Sequence, residues 1–243
     1  ASSPVVSTDG TFLAYVHTDE DIDRIAVVDT QGQQWPTILA SGHDFYMQPR
    51  ISPDGTRLAF VAWDHPNMPW DGTTLYVAEL DNSGPLPVAG TPRAIAGGDN
   101  IATFQPEFSA DNSRLYFVSD ETGWGRLASH ELATGSTQWL TPDGMELGTP
   151  AWAQDMRTYA VCGDGQSIAA VTSKNGFLSV VRIDLASGDQ SIIEPLAELT
   201  DVSQIVAAPV GTRIAAIGSS ATTAADSLPP SISAASYAAS AVR

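Results

Sequence analysis

The residues best equipped for chemistry in this chain are four histidines, His17, His43, His65 and His130, set among 28 acidic side chains. Two of them have a carboxylate as chain neighbour. His43 precedes Asp44, and His65 follows Asp64, with Asp71 a few residues on. An imidazole beside a carboxylate can ligate a metal or take part in proton transfer. Neither pair has the helical H-x-x-x-H or H-E-x-x-H spacing of a zinc site. In loops this acidic the expected outcome is hydrogen bonding without metal. The acidic run "TDEDIDR" lacks the glycine that a calcium loop places at its turn. There is no G-x-S-x-G nucleophile elbow and no glycine-rich loop leading from a strand into a helix. Cys162 is the single cysteine, which excludes an internal disulfide and reads as a small buried hydrophobe. These residues give no catalytic constellation, no metal site and no cofactor site.

The stretch "WDHPNMPWD", Trp63 to Asp71, carries the second histidine. Its two prolines each lack the donor that a ladder needs, so it is unsuited to a helix or a sheet interior. It is also too aromatic for an ordinary solvated turn. Three readings stay open: partner docking, a structural cap over neighbouring strands, and a direct small-ligand site.

The elements that must position it are set by a repeat. "SPVVSTDGTFLAYV" from Ser3, "QPRISPDGTRLAFV" from Gln48, "QPEFSADNSRLYFV" from Gln105 and "TPAWAQDMRTYAVC" from Thr149 align. Each has a proline (Pro4, Pro49, Pro106, Pro150) and an aspartate five residues later (Asp9, Asp54, Asp111, Asp155). "QIVAAPVGTRIAAIG" from Gln204 is a fifth, eroded copy. Each copy reads as two short strands joined by an S-P-D-G type turn, in which proline presets one dihedral and glycine permits positive φ. A third alternating run follows ("RIAVVDT", "TLYVAELD", "LASHELATG", "LSVVRIDLASG"), then a short fourth ("WPTILAS", "PRAIAG", "TQWLT", "QSIIE"). Four-stranded repeats of this length predict an all-β fold, a β-propeller of four-stranded antiparallel blades of the TolB/WD40-like kind, with about five blades visible. A two-sheet sandwich does not need a fixed repeat. The propeller is expected over 1–218, with blades starting near 3, 48, 105, 149 and 204. The Ala/Ser-rich 219–243 is expected to be a degenerate last blade or a linker.

The balance of 28 acids against 11 bases, a net charge of −17, argues against nucleic acid and against anionic membrane surfaces. No stretch reaches the roughly 18 apolar residues of a membrane span. Nothing at the N-terminus reads as a signal peptide, and the chain begins at Ala1 rather than at a methionine; the expected location is cytoplasmic.

In an up-and-down blade the S-P-D-G turns lie at one end. The loops between second and third strands, and the links between blades, lie at the other. That second end collects Asp44, Phe45, Tyr46, Trp63, Asp64, His65, Asn67, Trp70, Asp71, Glu121, Trp124 and Glu146. Aromatics with few lysines suit an interface core or a ligand cleft.

"SGHDFYMQPRISPDGTRLAFVAWDHPNMPWDGTTLYVAEL" closely resembles the N-terminal propeller of prolyl-oligopeptidase (S9) family serine peptidases, in the acylaminoacyl-peptidase and dipeptidyl-aminopeptidase-like branch. "QPEFSADNSRLYFVSDETGWGRL" and "MELGTPAW" resemble the blades that follow there. The resemblance implies a non-catalytic propeller that caps an α/β-hydrolase domain, in cis or from the same precursor, and gates peptide substrates. It also implies that acidic propeller residues, with Asp44, Asp64, Asp71 and Glu146 as candidates, hold a substrate's amino terminus. Asp44, Tyr46, Trp63, Asp64, His65, Asn67, Trp70, Asp71, Trp124 and Glu146 are the residues expected to dock the hydrolase domain or bind substrate. No triad residue can be carried over, because no hydrolase sequence follows Arg243 and the blades are fewer than is usual in the family. The alternatives are a self-standing TolB-like propeller that binds a protein or small ligand, and a propeller enzyme of another kind with acids in its channel. A docking role predicts that Trp63, Trp70 and Trp124 leave an apolar patch uncovered.

Overall fold

The computed structural model describes residues 1–147 and 149–220; the Ala/Ser-rich stretch from 221 on, and with it most of the expected tail, lies outside the described residues. The chain divides into two compact units. The first holds Ala1–Glu121, Ala128–Gln138 and Pro150–Asp155, and the second holds Thr122–Leu127, Trp139–Thr149 and the residues from Met156 on.

The first sheet is β1 (Ser2–Val6), β2 (Phe12–Asp19), β3 (Ile22–Asp29) and β4 (Thr37–Ala40), in sequential order. The second is β5 (Phe45–Ile51), β6 (Arg57–Trp63), β7 (Thr74–Asp81) and β8 (Val88–Ala89), with β9 (Arg93–Gly97) also on β7. The third is β10 (Thr103–Phe108), β11 (Arg114–Ser119), β12 (Arg126–Glu131) and β13 (Thr137–Trp139). These are the four-stranded antiparallel blades that the repeat predicts. In β2 the residues alternate between buried and partly exposed, whereas β6 is buried along both faces. Small residues such as Ala59 and Ala62 let neighbouring sheets stack closely on it. Phe12, Ile25, Val27, Tyr46, Leu58 and Phe60 form one apolar cluster between the first two sheets. Each such side chain contributes about 1.5–3 kcal/mol on burial.

In the second unit, β14 (Glu146–Leu147) and β15 (Tyr159–Val161) both pair with β16 (Ser167–Lys174), followed by β17 (Phe177–Asp184) and β18 (Gln190–Ile192). β19 (Asp201–Ala207) and β20 (Ile214–Ser219) form a two-stranded sheet, the eroded fifth copy. Cys162 is buried here beside Ile193, Leu196, Ile205 and Ile214, as a small hydrophobe should be.

The repeat aspartates are the hubs of their turns. Ser7, Ser52 and Ser109 each donate from Oγ to the following aspartate, Asp9, Asp54 or Asp111, at 2.6 Å. The same carboxylates accept the backbone N–H of Thr11, Thr56 and Ser113 at 3.0 Å. The Ser109 hydroxyl, then the amide and hydroxyl of Ser113, hold the Asp111 carboxyl down to about 2. In the fourth copy the alignment put this role on Asp155, and the structure corrects it. The turn runs from Cys162 to Ser167, and Asp164 accepts the amides of Gln166 (2.9 Å) and Ser167 (3.2 Å). The misplacement arises because the first strand of this blade is split into β14 and β15, with Pro150–Asp155 leaving the sheet and belonging to the first unit.

Each proline of the first three copies marks a β-bulge. Pairing shifts register between Ser2 and Val5, between Met47 and Arg50, and between Phe104 and Glu107. The residue before the proline carries positive φ: Ser3 at 50°, Gln48 at 51° and Gln105 at 51°. All three are buried. Gln48 Oε1 accepts the backbone N–H of Gln105 at 2.6 Å, tying β5 to β10. Gln154 donates to the Tyr46 carbonyl (2.9 Å) and accepts from Ser3 Oγ (2.6 Å), tying β1 to β5.

Candidate functional site

The β5–β6 hairpin opens away from its S-P-D-G turn, and its two ends carry His43–Asp44 and Asp64–His65. They cross-link reciprocally. His43 Nδ1 lies 2.8 Å from Asp64 Oδ2, and the Asp44 amide donates to Asp64 Oδ1 at 2.8 Å. In return the His65 amide donates to Asp44 Oδ2 at 2.9 Å, and His65 Nδ1 lies 3.0 Å from the same oxygen. Both His–Asp pairs thus form across the hairpin, not between chain neighbours. The His65 amide, then its ring, lowers the Asp44 carboxyl below the usual carboxylate value. Phe45 stands opposite Trp63 in register and stacks on it at 5.3 Å, with His65 at 4.8 Å from the same ring. Tyr46 is fully buried beneath, its hydroxyl accepting the His43 amide at 3.1 Å; burial raises the phenol above its ordinary value.

From this clasp the loop runs to β7. Asp71 Oδ2 accepts the Met68 amide (3.1 Å) and the Asp71 amide donates back to the Met68 carbonyl (2.9 Å). Asn67 Nδ2 donates to the Asp99 carbonyl at 3.0 Å, joining the loop to the β9–β10 link. Between them lies an open cleft of about 340 Å³, lined by His43, Trp63, Asp64, His65, Asn67, Thr73, Asp99 and Asn100. Its lining has carboxylates and imidazoles and no lysine or arginine, so its field favours a cationic group. Among the described residues no group of three or more His, Cys, Asp or Glu is placed to hold a metal ion.

The structure therefore brings together Asp44, Tyr46, Trp63, Asp64, His65, Asn67 and Asp71 on one end of the second blade. Trp70, on the same loop, packs at 4.3 Å between ring centroids on Trp152, which is itself 65% exposed. Trp124 and Glu146 belong to the second unit, where Glu146 Oε1 accepts the Gly125 amide at 2.8 Å and Trp124 is exposed. Trp63 and Trp70 are thus half-covered by rings of their own unit, and Trp124 is left open. Asp99 was missed as a cleft residue because "GGDN" reads as a turn; its place in the link that returns beside the "WDHPNMPWD" loop was the available signal. Trp152 and Gln154 were missed because the fourth copy was aligned through them.

Residues 1–214 match the sequence model of the TolB beta propeller domain. No curated protein matches the chain. Among solved structures, a puromycin-hydrolyzing peptidase of Mycobacterium tuberculosis is 28% identical, with a TM-score of 0.77, over 89% of this chain and 34% of that one. A puromycin hydrolase is 27% identical, with a TM-score of 0.77, over 89% and 33%. TolB from Acinetobacter baumannii, at 22% identity and a TM-score of 0.58, shares the fold. The chain spans about a third of the length of the two peptidases. With its bladed sheets and this match along most of its length, the chain belongs to the TolB β-propeller domain family, and it is related to the propellers of S9-family peptidases.

Proposed function

We propose that this chain is the propeller portion of an S9-type serine exopeptidase or oligopeptidase. It gates peptide substrates and docks on an α/β-hydrolase domain through the end that carries the clasp and the "WDHPNMPWD" loop. The observation that carries this is the 27–28% identity to two peptidases across 89% of the chain, which spans only a third of either. The chemistry of the loop end supports it: a rigid clasp, partly exposed tryptophans and an acidic cleft suit a lid that admits a cationic peptide terminus.

The test is on the native polypeptide, pulled out of its source with an antibody raised against this chain. A mass well above 25.5 kDa, with covalent labelling by a fluorophosphonate, is expected. A native mass near 25.5 kDa without labelling overturns the proposal and leaves a self-standing TolB-like binding propeller.

A second prediction concerns the acids. In the full-length enzyme before any labelling, alanine at Asp64, Asp71 or Glu146 is expected to raise KM for peptides with a free amino terminus by about fivefold, the effect of losing one modest charge contact. N-acetylated peptides should be affected less. Unchanged KM in all three variants, and in Asp44→Ala, would remove these residues from substrate binding and leave them as loop-shaping groups.

A further inference from the structure

His130 is the one residue among those described whose buried side chain leaves a polar atom, Nε2, without a partner. It lies on β12 and is 3% exposed. Its Nδ1 lies 2.8 Å from Thr137 Oγ1 on β13. A neutral imidazole has one N–H and one lone pair, so the Thr137 contact satisfies one side of the ring and the other can remain a weakly solvated edge. A protonated ring has two N–H donors and a full charge, and its Nε2–H would face packing with no acceptor.

The charged groups nearby do not relieve this. Arg93 on β9 adds a second positive charge. Glu131, next on the same strand, takes the hydroxyl of Thr134 at 2.7 Å. Arg114 on β11 directs Nη1 at Ser129 Oγ, 3.4 Å away. Burial first, and Arg93 second, push proton binding at His130 below the ordinary histidine value.

We propose that His130 is an acid-sensitive latch of the third blade: the neutral ring holds β13 on β12, and proton uptake releases it. The unfolded chain binds this proton near pH 6.5, and the folded chain only at lower pH. The stability that the neutral ring supplies is therefore complete above about pH 6.5 and is lost as pH falls from there toward the folded-state value.

Urea unfolding of the whole chain, wild type against His130→Gln, between pH 7.5 and 5.5 tests this. Wild type is expected to lose folding equilibrium constant more steeply than the variant below pH 6.5, by up to about tenfold per pH unit. His17, His43 and His65 stay in both proteins and cancel. A wild-type-to-variant difference that does not change with pH overturns the latch. Nitrogen NMR of the imidazoles in wild type decides the matter if His130→Gln does not fold. A His130 ring still neutral at pH 5.5 supports the proposal, and one that titrates at 6.5 overturns it. Amide exchange at pH 5.5 should rise first in β13; an equal rise in β10 and β11 would show general acid destabilisation in place of a local release.

Discussion

Gly72→Ala is expected to lower stability by about 3–4 kcal/mol, more than a single surface-loop substitution normally costs. Gly72 is buried at the start of the approach to β7. A Cβ there would come within 2.5 Å of the Asp99 carbonyl carbon and 2.7 Å of Asn67 Nδ2, and closer still to the Asp99 oxygen. The obstacle is mainly backbone, so a side-chain rotation does not remove it. The β9–β10 link would have to move, and three hydrogen bonds hold it: Gly98 N–H to Thr73 O at 2.9 Å, Thr73 N–H to Ile101 O at 3.0 Å, and Asn67 Nδ2 to Asp99 O at 3.0 Å. Overpacking costs about 1–3 kcal/mol, and each displaced hydrogen bond adds about 1. Denaturant unfolding of Gly72→Ala beside Gly90→Ala is the measurement. At Gly90 a Cβ meets only the Glu79 carbonyl oxygen at an ordinary 3.6 Å, so that variant should stay within about 0.5 kcal/mol of wild type. Equal midpoints for the two variants would show that the link is free to give way, and that Asn67 and Asp99 do not fix the cleft.

The same residues show what the sequence disclosed and what it withheld. "WDHPNMPWD" announced an irregular, rigid excursion between the second and third strands, because proline and clustered aromatics fit neither ladder nor solvated turn. What it joins was not legible. The clasp pairs His43 with Asp64 and His65 with Asp44, partners about twenty residues apart that only the β5–β6 register brings together. Chain neighbours suggested the opposite pairing. Registers of this kind follow from the hairpin's turn, and the S-P-D-G turn was legible. The unread step was the β-bulge between turn and clasp, which offsets the pairing beyond Met47.

That bulge was hidden for a local reason. A residue before proline is steered toward extended backbone, and a non-glycine residue seldom takes positive φ. Ser3, Gln48 and Gln105 break both preferences at the same repeat position. Local rules point away from this conformation, so what holds it is tertiary, as the Gln48–Gln105 and Gln154–Tyr46 bonds show. The fourth blade departs further. Where the others insert a bulge, its first strand breaks, and Pro150–Asp155 carries Gln154 to Ser3 and Tyr46 and Trp152 to Trp70. The repeat made the blade visible, and the break displaced its turn from Asp155 to Asp164.

Gln48→Ala tests whether the bulge is held in this way. Gln48 is wholly buried, and its Oε1 is the acceptor for the buried Gln105 amide at 2.6 Å. Truncation leaves that N–H facing protein without an acceptor, a loss of about 2–3 kcal/mol. Gln48→Gly removes the same acceptor but relieves a left-handed residue at φ 51°, which costs a residue with a Cβ about 1 kcal/mol. The glycine variant should therefore be the more stable of the two by about that amount, the reverse of the usual order within a strand. Urea midpoints with matched slopes give both numbers. If glycine proves no better than alanine, backbone strain at the bulge is negligible, and the side-chain bond alone sets the offset of β5. If both variants match wild type, neither bond nor strain holds the bulge. The position of Asp44, Phe45 and Tyr46 at the open end of the β5–β6 hairpin would then rest on the clasp itself, because those residues lie on the far side of the bulge from the turn.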